Sequence, residues 1–251
     1  IFAIIGKPLS HSLSPLMHSY WYKKYSINAK YEPIEIEQNE IKDVIEKIRK
    51  KEISGINITL PYKQVIIQHL DKIINDAEET HSVNTVYLDK NETLIGENTD
   101  VYGIQAAYLN KINLQKKMNS ALIIGAGGVA PSIIYALIKS NLGKISITNR
   151  TFEKAIFLKK KFPFINIIKW EDFNKFIPDF GLIINATSLG MKNSDQFENK
   201  IENFDENATY IDTIYNPLET QMINDLKQKN IKTFNGLDML IYQGQKSFYI
   251  W

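Results

Sequence analysis

One stretch constrains the fold more than any other: SALIIGAGGVAPSIIYALIKS at 120–140. An apolar, strand-like run ends at Gly125, and an amphipathic helical pattern follows. KISITN at 144–149 then reads as another strand. Gly125, Gly127 and Gly128 with Ala130 fit G-x-G-x-x-G/A, and Ala126 and Val129 complete the loop. Strand, glycine turn, helix, strand is the order a dinucleotide-binding unit requires. The glycines allow a tight turn and close approach of backbone to a pyrophosphate, and the helix N-terminus supplies N–H groups and partial positive charge. The alternative is a glycine turn that serves only strand–helix packing.

The end of the second strand narrows the cofactor. A carboxylate there would accept hydrogen bonds from a ribose 2′-hydroxyl, but Asn149 and Arg150 occupy the position. A guanidinium instead meets a 2′-phosphate through two parallel hydrogen bonds, and Asn149, Thr151 and Lys154 add donors. The cofactor expected is NADP. The competing reading of Arg150 and Lys154 is a solvated helix start.

Around this unit the chain alternates strands and helices. IFAII, YEPIEI, GINITL and NTVYLD read as strands, and Ile41, Val44, Ile45 and Ile48 recur at helical spacing. Ser14 and Pro15 look like the N-cap and first turn of a helix running to Tyr25. After the polar LQKKMNS and the glycine unit, strands are expected at INIIK, GLIINA and ATYIDT, and helices across ETQMINDLKQK and the final GLDMLIYQGQKSFYIW. The pattern is α/β with a mostly parallel sheet in the N-terminal part and a Rossmann-type domain after it. The boundaries expected are residues 1–100 joined by 237–251 for the first domain and 101–236 for the second.

Composition excludes several classes. The 251 residues are 44% hydrophobic and 23% charged, as in an ordinary globular protein, with 30 basic and 28 acidic side chains spread along the chain. Nucleic-acid binding gains no support from a net charge of +2. The chain has no cysteine, and its four histidines lack a tight ligand spacing, so no metal site is expected. The opening IFAIIG is too short for a signal peptide, and no apolar run is long enough to cross a bilayer. A cytoplasmic setting without membrane contact is the expectation. Because Ile1 is not methionine, further residues are expected before it.

Short polar side chains gather in HSLSP at 11–15, NITLPYK at 57–63, VNT at 83–85 and ENTD at 97–100. They suit a polyhydroxylated ligand, although each has a structural alternative: Ser14 as a helix cap, Asn84 in a turn, Asp100 as the cap of the next helix. Taken together, GKPLSHSLSPLMH, GINITLPYK, SVNT, GENTD, GAGGVA, NRT with Lys154, INATSLGM, IDTIYNP and GLDMLIYQ resemble, in that order, the shikimate dehydrogenase family. The resemblance implies a substrate domain, an NADP-binding Rossmann domain, a C-terminal helix returning to the first domain, and reduction of 3-dehydroshikimate to shikimate.

Carried onto matching positions, it implies Ser12 and Ser14 on the substrate carboxylate, Thr59, Asn84 and Gln243 on ring hydroxyls, Tyr215 also on substrate, and Lys63 with Asp100 as the catalytic pair. For the cofactor it implies the glycine loop, Asn149, Arg150, Thr151 and Lys154, with Thr187, Ile214 and Gly236 near the nicotinamide half. His81 and Ser82 stand where the family has Gly-Ala, and Asp238 where it often has glycine. Reducing a ketone needs a proton donor within about 3 Å of the oxygen, and an ordinary aspartic acid is ionised at neutral pH. Lys63 is therefore the better donor, with Asp100 as its orienting partner. The rivals are a quinate/shikimate dehydrogenase using NAD or NADP and a catalytically silent nucleotide-binding homologue. The partner expected is the small-molecule substrate, and the state a monomer or homodimer.

Overall fold

The computed structural model describes residues 1–112, 119–197 and 201–251. The polar stretch from Leu114 to Met118 lies outside them. The chain divides into two units, Ile1–Gly103 with Ile241–Trp251, and Ile104–Leu240.

In the first unit, β1 (Phe2–Gly6), β2 (Tyr31–Glu35), β3 (Gly55–Ile58), β4 (Lys72–Ile73), β5 (Thr85–Leu88) and β6 (Leu94–Glu97) form a sheet in the order β2-β1-β3-β5-β6-β4. β1 runs parallel to β2 and β3, and β4 parallel to β6. β5 is antiparallel to both β3 and β6. The strands β4 and β6 had no counterpart in the sequence reading. β4 is two residues long, and all four residues of β6 are buried, so neither shows the apolar–polar alternation that marks a half-exposed strand. The reversal between β5 and β6 is an Asx turn, in which Asp89 Oδ1 accepts from Asn91 N and Thr93 N, both at 2.8 Å.

Helices α1 (Ser14–Lys24), α2 (Ile41–Arg49) and α3 (Asp76–Thr80) belong to this unit. The spaced Ile41, Val44, Ile45 and Ile48 of α2 are buried in one cluster with Ile5, Ile56 and Ile58 of the sheet. Leu13, not Ser14, is the N-cap of α1, and no side chain caps it. Ser14 is the first helical residue, so its hydroxyl is not committed to the helix end.

In the second unit β7 (Ser120–Ile124), β8 (Lys144–Thr148), β9 (Asn166–Ile167), β10 (Leu182–Asn185), β11 (Thr209–Asp212) and β12 (Lys232–Phe234) are all parallel, in the order β12-β11-β10-β7-β8-β9. Counted within the unit this is 3-2-1-4-5-6 read from the other edge, the doubly wound dinucleotide-binding order. β7 and β10 are buried at every residue, which explains their unbroken apolar runs. The order reverses between these two strands, and ligands of such sheets bind beyond the strand C-termini at that point. Helix α4 (Asp100–Ala107) leads into the unit, and α5 (Ala130–Lys139), α6 (Phe152–Lys161) and α7 (Gln221–Gln228) follow β7, β8 and β11.

The last helix, α8 (Leu237–Ile250), carries Phe248. Phe248 and Trp251 pack with Phe2, Tyr22 and Tyr31 of the first unit. Phe2 and Trp251 stack with ring centroids 4.7 Å apart. No described helix is long and apolar enough to cross a membrane.

Candidate active site

The polar motifs of the first unit converge where β1 and β3 end and β5 begins. Chain leaving β3 turns at a cis Leu60–Pro61 bond and brings Lys63 back, so that its carbonyl accepts from Val83 N at 2.8 Å. Lys63 Nζ donates to Asp100 Oδ2 at 2.6 Å, with the two side chains 12% and 5% exposed. Removing one partner of so enclosed a pair leaves the other charge uncompensated.

Asp100 opens α4 without capping it. Asn98 Oδ1 accepts from the Asp100 and Val101 amides at 3.0 and 3.3 Å, so the carboxylate is released for other partners. Its second oxygen accepts from Asn84 Nδ2 at 2.9 Å. Asn84 is held in turn by Thr99 N, which donates to Asn84 Oδ1 at 2.8 Å. A backbone N–H can only donate, so the amide oxygen must face Thr99 and the amide NH2 must face Asp100. The same NH2 reaches Gln243 Oε1 of α8 at 3.3 Å.

Lys63, Asn84, Asp100 and Gln243 thus form one hydrogen-bonded cluster. The buried Ser14 hydroxyl joins it less directly, through Tyr31 and Asn57. Ser12 Oγ accepts from Ser14 N at 3.3 Å, and among the described residues the Thr59 hydroxyl has no partner. His81 adopts φ 48°, ψ 42° and closes α3 in the left-handed conformation that glycine favours. The neighbouring Ser82 hydroxyl is buried without a partner. Among the described residues no group of His, Asp or Glu could hold a metal ion.

The glycine loop of the second unit leaves β7 at Gly125, whose φ is +109°. A Cβ there would sit 2.6 Å from Thr187 Cγ2 and 3.0 Å from the Ala186 backbone, so only glycine lets the loop approach the end of β10. Gly127 is exposed, and a Cβ on it would meet only Ala186 O at 3.7 Å. No side chain caps α5 at Val129, which leaves its first N–H groups open to an anion. Asn149 Oδ1 accepts from Ala126 N at 2.9 Å while its Nδ2 donates to Thr151 O at 2.8 Å, tying the glycine loop to the NRT turn. Arg150, Thr151 and Lys154 are exposed, and Arg150 has no partner among the described residues. An open loop, an uncapped helix start and a free guanidinium fit a dinucleotide bearing a 2′-phosphate.

The loops after β10, β11 and β12 are pinned to one another. Asn185 Oδ1 accepts from Thr187 N and Oγ1 at 3.0 and 2.6 Å, and its Nδ2 donates to Asp212 Oδ1 at 3.1 Å. Asp212 also accepts from Ile214 N (3.1 Å), Thr220 Oγ1 (2.8 Å) and Tyr210 OH (3.4 Å). Burial pushes the Asp212 carboxyl up to about 6, although these donors pull the other way. Gly236 N donates to Ile214 O at 2.7 Å, and a Cβ on Gly236 would lie 2.6 Å from Thr213 C. Tyr215 follows Ile214 in this unit. Asp238, in the first turn of α8, pairs with Lys111 at 2.8 Å. Sequence reasoning missed Asn185, Asp212 and Thr220 as organising residues. Their only signal was a place inside INATS and IDTIYNPLET.

Two family models match the chain: the substrate-binding domain of shikimate dehydrogenase over residues 4–86 and shikimate/quinate 5-dehydrogenase over 108–238. A shikimate dehydrogenase (NADP(+)) of Pelagibacter ubique is 47% identical over 250 residues, covering 100% of this chain and 92% of that protein. The chain belongs to the shikimate dehydrogenase family. Solved members share its fold closely. Shikimate dehydrogenase from Aquifex aeolicus gives a TM-score of 0.88 at 36% identity, over 100% of this chain and 91% of the other. The Thermus thermophilus shikimate 5-dehydrogenase, solved in complex with NADP(H) and shikimate, gives 0.87 at 30% identity, over 100% and 92%. The two shikimate dehydrogenase α/β units expected from the motif order are therefore those of the family.

Proposed function

We propose that the chain is an NADP-dependent shikimate dehydrogenase, which reversibly reduces 3-dehydroshikimate to shikimate in the pathway to aromatic amino acids. The observation that carries the reading is the Lys63–Asp100 pair, a 2.6 Å contact held by Asn84 from the other side. Bound NADPH supplies the hydride. Lys63, as an ammonium, donates the proton to the carbonyl oxygen and in the oxidative direction takes it back as the amine. Asp100 accepts at both oxygens, so it orients Lys63 and stabilises its positive charge. Ser12 and Ser14 bind the substrate carboxylate, and Thr59, Asn84 and Gln243 its hydroxyls, with Tyr215 a further substrate contact.

On the cofactor side, the turn from Gly125 to Ala130 holds the pyrophosphate. Arg150, with Thr151 and Lys154, holds the 2′-phosphate, and Asn149 shapes the loop between them. Thr187, Ile214 and Gly236 receive the nicotinamide half. A cytoplasmic setting and a monomeric or homodimeric state belong to the same reading.

One family model covers quinate as well as shikimate enzymes, so the test compares both. Initial rates of shikimate and quinate oxidation are measured with NADP and with NAD. Shikimate with NADP is expected to be fastest by kcat/KM; a preference for quinate or NAD would overturn the assignment.

A further inference from the structure

Behind the proposed substrate residues lies a buried chain of side-chain hydrogen bonds whose middle is a serine on α8. Ser247 is fully buried. Its Oγ lies 3.0 Å from Asn57 Nδ2, 2.8 Å from Thr85 Oγ1, 3.3 Å from Thr99 Oγ1 and 3.2 Å from the Gln243 carbonyl. A serine has one proton, so the direction of each bond matters.

Two groups with no freedom orient the amides at either end. The Asn84 carbonyl accepts from Asn57 Nδ2 at 3.0 Å, which orients the Asn57 amide with its NH2 toward Ser247 and its oxygen toward Tyr31. Tyr31 OH then donates to Asn57 Oδ1 at 2.7 Å. At the other end, Thr99 N and the Asp100 carboxylate fix the Asn84 amide with its oxygen inward. Thr85 Oγ1 donates to that oxygen at 3.1 Å. Having spent its proton there, Thr85 offers Ser247 only lone pairs, and the single Ser247 proton is shared between Thr85 Oγ1 and the Gln243 carbonyl, which can only accept. The result is one connected network: Tyr31 donates to Asn57 and Asn57 to Ser247, Ser247 meets both Thr85 and the Gln243 carbonyl, and Asn84 joins Thr85 to Asp100. Side chains joined in such a buried network hold one another at fixed spacings.

We propose that Ser247 is a positioning residue for the hydroxyl-binding end of the substrate site, pinning α8, and with it Gln243, to Asn84. The inference rests on the proposed shikimate dehydrogenase reading, in which Asn84 and Gln243 touch substrate. Ser247 itself does not. Its hydroxyl is the joint between Asn57 on β3, Thr85 on β5 and the turn of α8 that bears Gln243, so removing it leaves the 3.3 Å bond between Asn84 and Gln243 to hold the two together without that support.

The test uses Ser247→Ala, which keeps helix propensity, and Thr85→Val, which removes the next hydroxyl at nearly the same volume. Each is expected to raise the KM and the calorimetric Kd for shikimate about three- to tenfold, the scale of one lost buried hydrogen bond. The KM for NADP should stay at the parent value. The double variant should lose less than the product of the single effects, because both break one chain. A lower melting temperature with unchanged shikimate KM and Kd in both variants would make the serine merely structural and overturn the proposal. So would an equal rise in the KM for NADP. A parent that oxidises shikimate while its variants match it overturns only the role of Ser247. A parent that neither binds nor oxidises shikimate overturns the functional reading as well.

Discussion

Asp212 is a buried carboxylate surrounded by neutral groups, and replacing it with asparagine separates what its burial costs from what its hydrogen bonds contribute. Asn185, Thr220, Tyr210 and the Ile214 amide donate to it, and none titrates between pH 4 and 7, the Tyr210 hydroxyl being pushed well above its ordinary range by burial. Burial raises the Asp212 carboxyl from an ordinary 3.8 to about 6. Because the folded value is the higher one, the stability tied to this group is fully present below pH 3.8 and is lost as pH rises through 6. The gap is worth about 3 kcal/mol.

An asparagine of the same shape can keep its oxygen on Asn185 and the Ile214 amide. Its NH2 then turns toward the hydroxyls of Thr220 and Tyr210, which can reverse and accept. Asp212→Asn should therefore match the parent near pH 4 and exceed it by up to about 3 kcal/mol at pH 7, or about 6–12 °C in Tm for a chain of this size. Chemical denaturation of both proteins at half-unit intervals from pH 4 to 7.5 gives the difference curve, in which other titrating groups cancel. A flat difference, or a variant less stable than the parent at pH 7, would refute the reasoning and make the ionised carboxylate a net stabiliser of these loops.

Other perturbations follow from the same geometry. Lys63→Ala should lower kcat by about 10²–10⁴ while shikimate still binds by calorimetry, and near-normal turnover would remove Lys63 as proton donor. Arg150→Ala should weaken NADP binding more than tenfold and leave NAD binding nearly unchanged at one ionic strength, whereas equal losses would point to a structural arginine. Ser14→Ala should raise the KM for shikimate without the stability loss of a removed helix cap, since Leu13 occupies the cap position; a fall in Tm with unchanged KM would contradict this. His18 is fully buried, stacks on Tyr31 at 4.2 Å, and has both ring nitrogens unpartnered; burial lowers it from 6.5 to about 3. Stability tied to the neutral ring is present above pH 6.5 and lost as pH falls toward 3, so His18→Phe should be as stable as the parent at pH 7 and more resistant to acid, as read by Tm against pH.

Much of this molecule is written locally. The strand, glycine turn and helix at 120–140 are encoded by neighbours within a few residues, because φ above zero at Gly125 and an apolar run over β7 are properties of short segments. The same holds for α2, whose Ile41, Val44, Ile45 and Ile48 share one face by spacing alone. The exposed Arg150 where a carboxylate is expected, and the short polar residues of four motifs, were legible for the same reason.

What tertiary structure decided is which of several possible partners each polar group takes. In isolation Asp100 could cap its helix or face Lys63, and only the folded arrangement, with Asn98 at the helix end and Lys63 brought back 37 residues earlier in the chain, resolves the choice. Neither β4 nor β6 carries a local pattern, since a strand only two residues long or buried at every residue has no period to read. The bond between Asn57 and Ser247 spans 190 residues. No spacing rule reaches that far, because such a contact exists only after the apolar faces of the sheet and of α8 have packed and left their buried polar groups to find one another.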